Sequence, residues 1–394
     1  MTTLLHLSDT HLGNRQYGSD VRKEDMAEAF EQAVDIAVDE NVDAVIHTGD
    51  LFDSRTPSLP EVTRCIRILR KLEEADIPFY GIVGNHDRKM DEQWLDLIRE
   101  TGVAQRLSKE PTMVGGDVAV YGIDSVTKPS WHSTDFTLVP PDDPDVFTLL
   151  CMHQLLAPPI PGSEDFMADH SAEEVLDRVE IDLDALALGD YHKPEEDVVK
   201  DVPVWYAGST ERCSVDEEEP RSVSLLEIEE GTIRRRKREL DTREFVPIPI
   251  EFSEGDAYGR INDVLDQYDL EDRVAHVTLR GERTAVTSSD VYSAVMDLGT
   301  AVSKVKDDRG RQEFDLGGGP EGDVKNPDEI IDEQIAEANL SETALSIDER
   351  VRGDEELPNR KKPVANEIEE DVKQAQEEAF SDSKVDNTAE EVAE

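Results

Sequence analysis

Five short apolar runs in the first half of the chain each end in residues able to bind divalent cations: LLHLSDTH, AVIHTGDLFD, YGIVGNHD, FTLLCMHQ and ALALGDYH. They carry Asp9, His11, Asp50, Asn85, His86, His153, Asp190 and His192. Carboxylate, imidazole and amide oxygen together suit borderline ions, with Mn2+, Fe2+ and Zn2+ fitting better than the Ca2+ or Mg2+ of an all-oxygen shell. Two such ions about 3.5–4 Å apart can share one carboxylate and aim an activated water in line at a phosphorus atom. Asp50 is the bridging candidate. The chemistry these residues point to is two-metal hydrolysis of a phosphate ester.

An apolar run bounded by Gly, Asn or Asp reads as a buried strand followed by a turn. In an open α/β sheet, ligands bind beyond the carboxyl ends of the strands. The runs therefore place their polar residues at one end of neighbouring strands, expected at about 3–7, 43–48, 78–83, 118–123, 146–152, 184–188 and 203–207. Between the first of them lie amphipathic helices. One has Met26, Ala29, Phe30, Ala33, Val34, Ala37 and Val38 on one face, and another is marked by Val62, Ile66, Leu69 and Leu72. A hairpin of SVSLLEI and TIRRRKREL around Glu230-Gly231 closes this domain, taken as 1–242. The expected fold is an α/β sandwich of mixed sheets.

The pattern restarts in 243–310, with strands in VPIPIEF and VAHVTLRG and helices over Ala257–Tyr268 and Ser289–Leu298, as in a small second α/β domain. Residues 311–394 form an acidic linker and tail whose composition predicts disorder over most of its length. Within it, Ile330, Ile331, Ile335, Leu340, Leu345, Ile347 and Val351 suggest one or two partner-binding helices around 327–352.

The chain has 41 Lys and Arg against 92 Asp and Glu, a net charge of −51. Spread along 394 residues, this excess keeps a protein soluble through hydrated carboxylates and reads as adaptation to molar intracellular salt. Strong apolar periodicity excludes a disordered acidic chain for 1–240. Cys65, Cys151 and Cys213 are isolated thiols that fit a reducing compartment. With no leader-like segment and no span long enough for a bilayer, a soluble, cytoplasmic, nucleoid-associated protein is expected, with no membrane contact.

The ordered set D-x-H, GD-x-F-D, GNHD, a later strand-end His and G-D-x-H resembles the calcineurin-like metallophosphoesterases. Within them, SDTHLG, TGDLFD, GNHD, MHQ and LGDYHKP resemble the double-strand-break repair nuclease family called meiotic recombination eleven, or SbcD in bacteria. The likeness covers residues 1–240 and extends more weakly to 310. It implies a four-layer sandwich with a small capping domain, two Mn2+ per chain (Fe2+, Zn2+ or Mg2+ as alternatives) and exonuclease and endonuclease action on DNA. It also implies a homodimer and a Rad-fifty-type coiled-coil ABC ATPase as the partner of the tail.

Carried over residue by residue, the resemblance implies metal one on Asp9, His11, Asp50 and His192, and metal two on Asp50, Asn85, His153 and Asp190. His86 then stands over the scissile phosphate, with Asp87 behind it fixing its tautomer. Most relatives have His where Asp190 stands, so metal two gains a harder donor and a negative charge. Asp53 stands where archaeal and eukaryotic relatives often have His, and that residue's duty does not transfer to it.

Among the other histidines, His6 and His47 read as core residues, and His132, His170 and His276 lie outside any motif. Arg15, Gln16 and Tyr17 follow the DTHLG turn, close enough to the metals to meet a nucleic-acid end. The basic run Arg234, Arg235, Arg236, Lys237 and Arg238 is either a DNA-backbone contact or a solvated edge strand balancing nearby acids. Leu95, Leu97 and Ile98 beside Trp94 are candidates for a dimer contact, although an ordinary core helix would show the same pattern. Two other readings remain beside the nuclease: an architectural end-tethering subunit with weak cleavage, and a phosphatase or cyclic-nucleotide phosphodiesterase.

Overall fold

The computed structural model describes residues 1–89, 92–160, 170–217 and 219–310, so the candidate partner-binding helices around 327–352 lie outside the described residues. Two six-stranded mixed sheets dominate. In the first, β14 (Thr232–Glu239), β13 (Ser222–Glu229), β1 (Thr2–Leu7), β2 (Ala44–His47), β3 (Phe79–Gly81) and β4 (Gln105–Arg106) lie side by side. Here β1 to β4 run parallel, and the β13–β14 hairpin pairs antiparallel to β1. The second sheet has the order β11 (Glu196–Val199), β12 (Val202–Tyr206), β10 (Ala185–Gly189), β7 (Phe147–His153), β6 (Val118–Ile123) and β5 (Thr112–Val114). Its four inner strands are parallel and its edges antiparallel. A short parallel pair, β8 (Leu156–Ala157) and β9 (His170–Ser171), stands apart.

Alternation along the strands builds the layers. β1 sends Leu5 and Leu7 toward α1 (Asp20–Asp39), α2 (Leu59–Glu74) and α3 (Trp94–Glu100), and Leu4 toward the second sheet. Likewise β10 puts Leu186 and Leu188 into the core beneath α4 (Ala172–Arg178), and Ala185 and Ala187 between the sheets. Strands buried on both faces must be apolar at every position, which is why they read as continuous runs. The outcome is the four-layer sandwich expected, with helices outside each of two facing sheets.

The small domain has three parallel strands, β15 (Phe245–Phe252), β16 (Val274–Gly281) and β17 (Val302–Asp307), with α5 (Gly259–Leu265) and α6 (Ser288–Met296). Its own core includes Ile248, Ile250, Ile261, Val277, Leu279 and Val291. β17 escapes sequence reading because Lys304, Lys306 and Asp307 on this edge leave Val302 and Val305 as its only apolar residues. The domain nevertheless belongs to one compact unit with the rest of the described chain. Arg243 grips Asp25 through hydrogen bonds of 3.0 and 2.9 Å and reaches the Asp272 carbonyl at 2.6 Å.

The dimer candidates need correction. A helix repeats its face every 3.6 residues, and α3 turns Leu95 and Ile98 into the core, leaving Leu97 exposed. No helix among the described residues is long and apolar enough to cross a membrane.

Candidate metal centre

The loops after β1, β2, β3, β7 and β10 meet at the carboxyl ends of the two sheets. Asp9, His11, Asp50 and Asp190 all have positive φ, at 52°, 43°, 55° and 90°. Left-handed backbone costs a residue with a Cβ about 1–3 kcal/mol and persists where surroundings over-determine it. Here the β1 and β2 loops zip together, the N–H groups of Asp9, His11 and Leu12 donating to the carbonyls of Gly49, Asp50 and Leu51 at 3.1, 3.1 and 3.0 Å. Two motif glycines allow the approach. A Cβ at Gly84 would strike the Asp50 carboxylate, and one at Gly189 would strike Ser8 and the Thr48 carbonyl.

The donors lie in two adjoining clusters, tied together by Asp9, Asp50 and His153, whose donor atoms lie within 4.8 Å of one another. In the first, His11 Nε2 and His192 Nε2 face each other at 3.2 Å, with Asp50 Oδ2 3.8 Å from His11 and Asp9 Oδ1 4.0 Å from His192. In the second, His153 Nε2 lies 3.0 Å from Asn85 Oδ1, 3.3 Å from Asp50 Oδ2 and 3.6 Å from Asp190 Oδ1. His153 Nδ1 donates to the Thr48 carbonyl at 2.7 Å, which leaves Nε2 to point a lone pair into the cluster. Asp50 joins the two, its Oδ2 within reach of both while Oδ1 accepts the His86 backbone N–H at 2.9 Å.

The field in these clusters calls for positive charge. Burial resists protonation of His153, but Asp50 and then Asp190 outweigh it and hold its pKa well above the usual value. His11 is likewise raised to about 9, burial being overcome chiefly by Asp53. His192 is raised against burial by Cys213 and then Glu217. Burial pushes the Asp190 carboxyl up, opposed by His153 and reinforced by Asp9 and Asp50. The facing imidazole nitrogens of His11 and His192 can share one proton as a hydrogen bond, and a cation that replaces that proton would accept both lone pairs. The donor set thus fits divalent ions, with nitrogen on both sides and an oxygen-richer second cluster.

Other expected site residues fall in various places. His86 is exposed at the rim, its ring centroid 4.9 Å from that of His11 and its Nδ1 3.1 Å from the Asp53 carbonyl. The role assigned to Asp87 is corrected. Buried behind the turn, its carboxylate accepts backbone N–H groups from Gly84 and Leu51 at 3.0 Å each and from Phe52 at 3.4 Å, while the Asp53 carbonyl meets the His86 ring. Asp87 therefore fixes the loops, and burial together with Asp50 lifts its pKa to about 6.

Arg15 pairs with Asp20 at 2.9 Å. Tyr17 packs toward the small domain, 6.3 Å from the His276 ring with Lys304 Nζ 6.0 Å from its own centroid. In the basic run, Arg235 lies over Trp205 at 5.7 Å and pairs with Glu196, Arg236 pairs with Glu227 and Arg238 with Glu40. Arg234 is the most exposed of the four arginines, 3.9 Å from Glu227. His6 and His47 are buried behind the clusters, His6 bonded to Thr48 and Trp205 and His47 to Thr10 and Gly49, His47 close enough to feel the charge of His153 and Asp50.

Sequence reading missed Glu217 and Cys213. Glu217 Oε1 stands 3.3 Å from His192 Nδ1. Cys213 forms with His11 and His192 a group whose donor atoms lie within 4.8 Å of one another. Both sit in ERCSVDEEE, an acidic stretch with no spacing that singles them out.

A calcineurin-like phosphoesterase family model matches residues 2–194, the part that supplies every residue of the two clusters. The chain is 37% identical over 384 residues to the DNA double-strand break repair protein Mre11 of Haloferax volcanii, covering 97% of this chain and 83% of the relative. It is 35% identical to that of Halobacterium salinarum, covering 90% of each. The Methanosarcina acetivorans relative is 38% identical over 91% of this chain, which spans 60% of that longer protein. The chain therefore belongs to the Mre11 family of DNA double-strand break repair proteins, within the calcineurin-like phosphoesterases.

Proposed function

We propose that the chain is a DNA nuclease that trims and nicks ends at double-strand breaks with two divalent ions, Mn2+ first among them. The observation that carries this reading is Asp50 Oδ2, 3.8 Å from His11 Nε2 and 3.3 Å from His153 Nε2, one oxygen common to both halves of the site. Asp9, His11, Asp50 and His192 would hold metal one, and Asp50, Asn85, His153 and Asp190 metal two. When bound, such a pair of ions draws charge from phosphate oxygens and lowers the pKa of water.

The chain's own groups do the rest. Thr48 and Asp53 carbonyls fix the rings of His153 and His86. With Nδ1 so engaged, His86 presents Nε2 to substrate, to stabilise charge or protonate the leaving oxygen. In molar salt most affinity from phosphate neutralisation is lost, so a chain of net charge −51 would hold DNA chiefly through its ions. A Rad-fifty-type ATPase bound by the tail, a homodimer and a place in the cytoplasm beside the nucleoid complete the reading.

The test is degradation of end-labelled linear DNA in molar KCl with Mn2+, beside the His86→Ala protein, a metal-free control and a small phosphodiester. Cleavage of DNA that needs both Mn2+ and His86 supports the reading. Cleavage of the small ester with DNA untouched would favour a phosphatase, and an inert protein with under-filled metal sites an architectural subunit weakened at Asp190.

A further inference from the structure

We propose that Cys213 supplies a thiolate to metal one, so that the two metal positions differ in softness and select different ions. The inference rests on the reading of His11 and His192 as metal ligands. Three observations converge on Cys213. Its Sγ and a ring nitrogen each from His11 and His192 lie within 4.8 Å of one another, and the thiol donates to the Glu211 carbonyl at 3.6 Å. The residue is pinned on both sides, its N–H donating to Glu217 Oε2 at 2.9 Å and its carbonyl accepting from Gln16 Nε2 at 2.7 Å. Gln16 is held in turn by the buried Arg22, whose Nε donates to Gln16 Oε1 at 2.9 Å.

The contrast with the other thiols is informative. Cys65 and Cys151 are wholly buried among aliphatic side chains, where burial pushes their pKa up and nothing can be ligated. Cys213 alone is partly exposed and faces two imidazoles.

The chemistry divides the centre. Thiolate and imidazole favour Zn2+ or Fe2+, whereas carboxylate and amide oxygen favour Mn2+ or Mg2+. Cys213 softens the His11–His192 position, while Asp190 and Asn85 harden the position around His153. On ligation the thiol proton leaves to solvent, and the 3.6 Å hydrogen bond that the thiol donates to the Glu211 carbonyl is given up for the metal bond.

Anaerobic titration of the full chain with Co2+ tests this by absorption. A sulfur-to-cobalt charge-transfer band in the near ultraviolet, absent from Cys213→Ser, is expected with the first equivalent. In competition, Cys213→Ser should lose Zn2+ affinity by at least the about 10- to 100-fold seen when a residue that only orients a ligand is removed, with Mn2+ affinity little changed. Cobalt bound to the native chain without a sulfur band overturns the thiolate while leaving the two-metal reading intact. Failure of Co2+ to bind at all removes both. The native spectrum decides the point even where the serine variant folds poorly.

Discussion

Glu217 Oε1 stands 3.3 Å from Nδ1 of His192, whose Nε2 faces His11. A carboxylate behind a ligating imidazole orients the ring and raises its basicity. Glu217 is itself fixed, its Oε2 accepting from Arg221 Nη1 at 3.2 Å and from the Cys213 N–H at 2.9 Å. Glu217→Gln keeps the shape and removes the charge, so metal-one affinity should fall about 10- to 100-fold. Calorimetric titration with Zn2+ reads this, and unchanged affinity in a folded variant would leave Glu217 a structural residue only.

His86 is the rim residue whose loss should silence the chemistry and spare the centre. Only its backbone N–H touches Asp50, at 2.9 Å, so His86→Ala retains that bond. Cleavage should drop about 10²- to 10⁴-fold, the contribution typical of a positioned proton donor, with metal occupancy unchanged. Metal analysis beside the rate makes the check, and loss of metal along with activity would count against a role at the phosphate.

These two predictions differ in how far sequence could reach them. His86 lies in GNHD, where a strand end and a glycine mark the turn, and the residues that meet in the two clusters could be read because each ends an apolar run. Glu217 acts on His192 only because the chain returns from β12 past Ser209, which bridges to Ser8 beside the β1 loop. No local pattern encodes that return. Asp87 follows His86 in sequence, yet the turn sends its carboxylate inward to three backbone N–H groups. β17 was lost for the opposite reason, since an edge strand carrying Lys304 and Lys306 has too little apolar alternation to register.

The basic run on β14 should matter to stability more than to DNA. Arg235 is two-sided, stacked on Trp205 and paired with Glu196, while Arg236 and Arg238 already face carboxylates. A cation that contacts a phosphate steepens the salt dependence of DNA affinity by about one unit of log slope. Changing Arg236 and Arg238 to Gln should leave that slope unaltered, and Arg235→Ala should lower the melting temperature. A slope reduced by about two in the double variant would restore the run as a DNA contact.

Acid should weaken the fold through His6 and His47. Both are fully buried, and burial holds each pKa at about 3, assisted by Arg235 at His6 and by His153 at His47. His6 is committed as a neutral ring, accepting from Trp205 Nε1 at 2.9 Å and bonded to Thr48 Oγ1 at 2.9 Å. A histidine whose folded pKa lies below its unfolded value binds a proton on unfolding. Its stabilising share is therefore complete above the ordinary imidazole value of 6.5 and is lost as pH falls toward 3. At pH ~5 each ring should cost about 2 kcal/mol. Denaturant melts of native protein and His6→Gln, at neutral pH and at pH ~5 in molar KCl, isolate one ring, and the variant should lose about 2 kcal/mol less on acidification. Equal losses would mean that His6 already titrates normally, against its burial between Thr48 and Trp205.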